Sequence, residues 1–343
     1  MGHPLMHITQ PAAKAPISLR KYGIVFAFLG LCVLVSALCQ LKVVQGAWPE
    51  NTFLTVNNLM LILHQISVNG VLAVGMTFVV ISAGIDLSVG SVLAFSGMMA
   101  ASMATRSVGV TPWSDTYPVI FPIIAALGVG ALCGGLSGWI IARFRIQAFI
   151  ATLGMLLAAR GFTMSVTGGN PISGLSPDFR WFGTGKLFEV IPVPVVILAL
   201  VFLLAWVILN KTVFGRYVYA VGGNEKSART SGINTGAILI WVYVVAGFLA
   251  GVAGVILTAK TGSAQTSAGS SYELDAIAAV VIGGASLAGG VGRLTGTFFG
   301  ALIIGVMNNG LDILGVQSFY QLIIKGGLIV VAVILDPSRK QAG

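Results

Sequence analysis

The chain has 343 residues, of which 56% are hydrophobic and 8% charged, and a mean hydropathy of +0.96. A soluble domain carries about a quarter of its residues as charges and needs a polar shell, so a water-soluble globular enzyme is excluded and the bilayer is the solvent. The net charge of +9 then bears on topology rather than on nucleic acid. Cys32, Cys39 and Cys133 all fall in apolar runs, where a thiol behaves as a small hydrophobe and no disulfide framework is indicated.

Residues 1–21 form a polar N-terminal tail with no helical pattern and are expected to be disordered. About twenty apolar residues cross a hydrocarbon core of ~30 Å. Cutting the rest of the chain wherever charge or turn chemistry interrupts such runs predicts ten spans, near 22–41, 58–82, 86–104, 118–141, 148–167, 191–209, 236–258, 274–289, 294–309 and 319–335. The fold class is therefore an all-α polytopic membrane protein, with a single transmembrane domain over 22–335 and a short tail at 336–343. The third and eighth spans are short or glycine-rich and are candidates for partial re-entry. The first span is too long for a signal peptide, and bulky Leu38 before Cys39 does not suit lipoprotein processing, so this span is expected to stay in the mature protein. With both termini in the cytoplasm, twelve of the nineteen basic residues lie inside and five outside, while Arg160 and Lys325 fall within spans. That excess obeys the positive-inside rule.

In chain order, Asp86 of GIDLSVGS follows a glycine break and precedes a helical pattern, together with Ser88 and Gly90. It suits an N-cap at a cytoplasmic turn, or a coupling role. The segment VVISAGIDLSVG (79–90) is echoed by VVIGGASLAGG (280–290), which suggests two weakly similar halves. Gly130, Gly134 and Gly138, then Gly247 and Gly251, then Gly292, Gly296 and Gly300 recur every fourth residue. Such rows let helices approach closely, within one subunit or between two. In the fifth span Thr152, Thr163 and Ser165 are hydroxyl candidates for a solute path. Arg160 there and Lys325 in the tenth span are costly in hydrocarbon, so they snorkel, pair or line a path. Asn308 and Asn309 in the ninth span are further path candidates.

The loop 210–235 stands out as polar between two apolar runs. Within it, Asn224 suits an N-cap, Glu225 the first turn, Arg229 an i,i+4 partner for Glu225, and Gly232 the C′ position. A helix of about two turns follows, projecting into the cytoplasm and offering Ala228 and Arg229 to another surface. The competing expectation is a plain polar linker. Glu273 and Asp275 open the eighth span on the outer side, where exposure makes them candidate partner contacts. No phosphate-binding loop, metal-ligand cluster or catalytic triad can be assembled, so the chain is expected to be no enzyme and to hold no metal or cofactor.

The stretches GGNEKSARTSGI, GIDLSVGS, SAQTSAGSSYELDAIAAVVIGGASLAGG and LIIKGGLIVVAVILD together resemble the membrane-spanning permeases of bacterial ATP-binding-cassette (ABC) importers for monosaccharides, the ribose-type permeases above all. The similarity covers roughly residues 57–338. It implies a multi-pass protein of the bacterial inner (plasma) membrane that works as a dimer, in a homodimer with a second permease copy. The implied partners are a cytoplasmic ATPase subunit carrying ATP and Mg, and a periplasmic sugar-binding protein that docks near 105–117, 168–190 and 259–272. The family's coupling segment maps onto Gly223, Asn224, Glu225, Ala228, Arg229 and Gly232. Where the family has acidic, alanine and leucine residues, this chain has Lys226, Ser227 and Thr230, which makes the docking face more polar. Competing classes are an ion-coupled secondary transporter, with Asp86 or Asp275 titrating, and a passive channel.

Overall fold

The computed structural model describes residues 23–47, 49–107, 109 and 117–334. The expected tails at 1–21 and 336–343 and most of the outer loop at 105–117 lie outside these residues.

Apart from a two-residue hairpin, the described chain is helical. Its elements are α1 (Gly23–Val44), α2 (Val56–Ile81), α3 (Val89–Ala104), α4 (Ile120–Phe144), α5 (Ala148–Ser165), α6 (Pro177–Thr184), β1 (Lys186–Leu187), β2 (Ile191–Pro192), α7 (Val193–Lys211), α8 (Val213–Gly223), α9 (Glu225–Thr230), α10 (Thr235–Thr261), α11 (Tyr272–Ile282), α12 (Leu294–Ile313) and α13 (Ser318–Ile334). Among the described residues, seven helices are long and apolar enough to cross a membrane: α1, α2, α4, α5, α7, α10 and α12. The chain is a polytopic helical membrane protein.

Burial follows composition. The second half of α2 is apolar all round and wholly buried from Gly70 to Ile81, as a helix must be when neighbours surround it. It packs with α10, which also meets α3 and α4. By contrast, Leu132 on α4, Leu157 on α5 and Leu203 on α7 point outward, the pattern of a surface solvated by hydrocarbon.

Glycine sets the closest approaches. A Cβ on Gly134 would fall on the carbonyl oxygen of Tyr243, and one on Gly247 on that of Gly130. The two rows thus let α4 and α10 touch backbone to backbone. The third row joins α12 to α11 in the same way: Gly296 lies against Gly283, and Gly300 against the carbonyl of Ala279. All three rows are used within one chain.

Two expected spans are corrected. The eighth, placed at 274–289, is a helix only from Tyr272 to Ile282. Its eleven residues reach about 16 Å, half of a hydrocarbon core, because the glycines at 283–284 and 289–290 turn the chain. Its N-terminus packs against the start of α3, where Gly269, just before it, touches Gly90. Segment 262–271, non-helical, brings the chain there. The third span, placed at 86–104, begins as a helix only at Val89. Asp86 is not its N-cap: that position is Ser88, and the Asp86 carboxylate instead accepts from the Ser88 backbone N–H at 2.8 Å and hydroxyl at 2.6 Å. An aspartate closing on its own backbone two residues ahead competes with capping, and here it wins.

The faint echo between 79–90 and 280–290 has a structural counterpart. α2 ends at Ile81 with Gly84 N–H donating to Val79 O and Ala83 N–H to Val80 O; α11 ends at Ile282 with Ala285 N–H donating to Val280 O and Gly284 N–H to Val281 O. Both are Schellman turns, with φ +63° at Ala83 and +82° at Gly284. The two segments meet at one end of the bundle, where Gly290 N–H donates to Ile81 O at 2.8 Å.

Candidate functional site

Two groups of polar residues stand out from the apolar frame, a short helix at one end and a set of paired side chains in its interior.

At the end where α2 and α11 terminate, α8 and α9 lie across the bundle. Gly222 packs on the carbonyl of Ile81, and Tyr219, its phenol pushed up by burial, donates to Gly292 O at 2.8 Å. α9 then forms as its sequence dictates. The Asn224 side chain accepts from Ser227 N–H at 2.9 Å, and Arg229 pairs with Glu225 at 2.7 Å. Gly232, at φ +85°, closes a Schellman turn in which its N–H donates to Arg229 O and that of Ile233 to Ala228 O. Thr235, at the start of α10, donates to Glu225 and accepts from Arg229, so the ion pair is tied to the next spanning helix. One expectation is corrected. Ala228 is buried against its own chain, leaving Arg229, half exposed, with Glu225, Lys226, Ser227 and Thr230 as the free face. Gly223, Asn224 and Gly232 are exposed beside it. A cleft of about 480 Å³ opens next to α9, lined by Arg145, Ile146, Lys226, Arg229, Gly236 and Leu239.

Arg160 and Lys325 do not snorkel. Arg160 on α5 donates to the carbonyls of Thr266 at 2.6 Å and Ala268 at 2.8 Å, clamping segment 262–271. Lys325 on α13 pairs with Asp275 at 3.1 Å, and the same carboxylate oxygen accepts from Asn69 of α2 at 3.2 Å. Glu273 and Asp275, expected on an exposed outer surface, are both partly buried, because α11 starts within the bundle.

The path candidates separate into two sets. On α5, Thr152 donates to Ile85 O and Ala148 O, Thr163 to Ala159 O and Ser165 to Phe162 O. These hydroxyls are spent on backbone, and Ser165 is exposed. On α12, Asn309 exchanges two amide hydrogen bonds with Asn58 of α2, at 2.9 and 3.0 Å. Asn308 faces a small cavity with Gln65, Asn69 and Asp275. Ser88 and Gly90 are buried at the α2–α3 turn.

The sequence reading missed Asn58, Gln65, Asn69 and the buried Thr77–Thr297 contact at 2.8 Å. A signal was present for three of them. Asn58, Gln65 and Asn69 are spaced seven and four apart, on one face of a helix.

A bundle with a lipid-facing apolar surface, paired charges inside and a rigid polar helix at one end defines a membrane transport permease. The chain belongs to the family described as branched-chain amino acid transport system / permease component, which matches residues 58–333. It is 49% identical over 312 residues to the ribose import permease protein of Escherichia coli K12, covering 90% of this chain and 93% of that protein. The ribose import permease protein of Bacillus subtilis 168 is 47% identical over 314 residues, covering 91% and 92% respectively. The D-allose transport system permease protein of E. coli K12 is 39% identical over 316 residues, covering 92% and 91%. No solved structure matches.

Proposed function

We propose that this chain is the transmembrane subunit of an ABC importer that carries ribose or a closely related monosaccharide across the bacterial plasma membrane. The observation that carries it is the near-50% identity to ribose import permeases over nine-tenths of the chain. The subunit is not itself an enzyme; ATP and Mg belong to a separate ATPase. In this assignment the α9 end is cytoplasmic, both termini lie on that side, and α3, α11 and α13 complete ten passages with the seven long helices. A second copy of the chain forms the other wall of the path, and a periplasmic binding protein delivers the sugar to the opposite end.

The geometry of α9 supports the coupling role. A helix fixed at both ends and tied through Thr235 to α10 can pass displacement to a spanning helix, which a slack linker would absorb. Its cleft carries Arg145, Lys226 and Arg229 against the one carboxylate of Glu225, a net positive face that suits a polar, acidic ATPase surface. Of the two acids the ion-coupled alternative needs, Asp275 already has a lysine partner and Asp86 is closed on the Ser88 N–H and hydroxyl.

The test is Arg229→Glu. It replaces an ion pair with two adjacent carboxylates and reverses the charge shown to the ATPase, which disfavours docking. Sugar accumulation should fall by at least about tenfold, the equivalent of ~1.4 kcal/mol in coupling, while the chain remains in the membrane. Unchanged accumulation would remove the docking role.

A further inference from the structure

The cavity between α2, α11 and α12 has a composition that helix packing does not require. We propose that it is a transit site for the hydroxyl groups of the permeating solute, with Gln65, Asn69, Asp275 and Asn308 as its polar lining and Lys325 paired to Asp275 behind it; this rests on the importer assignment above.

α2 and α12 are already joined on either side of it by satisfied polar contacts, the Asn58–Asn309 amide pair and the Thr77–Thr297 hydroxyl pair. The cavity between them differs. The Oδ1 atoms of Asn69 and Asn308 are buried and, among the described residues, accept no hydrogen bond. Each such orphan costs about 1–3 kcal/mol, so a donor that can come and go fits these positions better than empty space. Lys325 and Asp275 are 22% and 13% exposed. Charges inside a bundle face a wet cavity or a path, not lipid.

The donor set selects the ligand class. Two amide oxygens and a carboxylate want O–H or N–H donors, while the side-chain amide N–H groups of Gln65 and Asn308 can donate in return. A neutral polyhydroxy compound supplies both from each hydroxyl. An anion would meet Asp275 and the two amide oxygens, and a cation would have to displace Lys325. The space, about 40 Å³, admits one water or one hydroxyl group, so a whole sugar needs the site to widen. Among the described residues, Lys325 is the polar anchor of α13 beyond its first turn, and the Gly326 and Gly327 backbones next to it have no close neighbour. A shift of α13 would break the Lys325–Asp275 pair and free a carboxylate of the cavity lining for the solute. Weak, replaceable hydrogen bonds suit a station that must release its cargo.

The experiment uses the assembled complex in proteoliposomes. A chain with Cys32, Cys39 and Cys133 changed to alanine receives Asn308→Cys, with Leu132→Cys on the lipid face of α4 as control. During turnover a small neutral, water-soluble methanethiosulfonate reagent should label the Asn308→Cys chain and not the Leu132→Cys chain, because a thiol facing hydrocarbon stays un-ionised and unreactive. During turnover with loaded binding protein, ribose, allose or xylose should slow labelling by about tenfold, the protection expected from occupancy of most sites. In the chain with native cysteines, Asn308→Leu should lower the sugar moved per ATP hydrolysed by at least about threefold, reflecting one lost hydrogen bond, where a merely structural role would lower both rates together. No labelling at 308, labelling unprotected by all three sugars, or an unchanged ratio in Asn308→Leu overturns the site and leaves the importer assignment standing. Failure of the native complex to move any monosaccharide overturns both.

Discussion

α9 and α11 are both short helices with acidic residues in the first turn, and they are built from opposite kinds of information. α9 takes its N-cap from Asn224, its ion pair from residues four apart and its stop from Gly232. All of it lies within nine residues of sequence. α11 starts at Ser271 with φ +68° and no side-chain cap. Its charge is matched by Lys325, 50 residues away, and by Asn69, 206 residues away. Its wall is the glycine face of α12. A helix made by its own sequence can stand at a surface and meet a partner, whereas one made by distant contacts is stable only where the bundle holds it. On the proposed function, the same division would separate two tasks, receiving force at an end and passing solute through the middle.

The largest expected effect tests the distant contacts. A Cβ on Gly300 would land on the Ala279 carbonyl and come within 3.1 Å of the Gly283 nitrogen. Both are backbone atoms that cannot swing aside. Gly300→Leu should force α12 off α11 and destabilise by about 3 kcal/mol or more, as overpacking of a rigid contact does. The measurement is the yield of monodisperse protein on size exclusion in detergent. Gly223→Leu, beside α9 with nothing within 4 Å of its Cβ, should keep the parental yield. Equal losses in the two variants would erase the distinction drawn here.

Next in size is Lys325→Met, which leaves the Asp275 carboxylate partly buried without its cation. Removing one member of a fully buried pair costs about 3–5 kcal/mol; this pair is 22% and 13% exposed, so the loss should be smaller, and neutralising both members should cost less still. Lys325→Met should therefore lower the thermal unfolding midpoint, and adding Asp275→Asn should recover most of the loss. If the double variant is as unstable as the single one, the pair does not anchor α13 to α11.

The sequence made α9 legible down to its cap because every determinant is local. What escaped was what depends on depth. Glu273 and Asp275 were assigned to an exposed outer surface, since a run of apolar residues after them extends to 289 and looks like a full crossing. The glycines at 283 and 284 end the helix at eleven residues, and the acids then sit inside. Asn308 and Lys325 were flagged singly as path candidates, but their meeting around Asp275 depends on the α11–α13 contact, which no local pattern encodes. Asp86 was misplaced by two residues for a smaller reason: an aspartate before a helix can cap it or can close on its own backbone, and composition does not choose between these.

The smallest effect sharpens the local side of the comparison. Asn224→Ala removes the side-chain acceptor for Ser227 N–H at 2.9 Å and nothing from the bundle. Loss of an N-cap costs ~1 kcal/mol. Because α9 is exposed and six residues long, this cost should appear as local opening and not as global unfolding. Amide hydrogen exchange across 225–232 should accelerate by about fivefold, the Boltzmann equivalent of that energy, with the protection of α2 and α10 unchanged. Accelerated exchange in α10 as well would mean that the Glu225–Thr235 contact joins lever and spanning helix into one cooperative unit, and the surface helix would then not be the self-contained element its sequence describes.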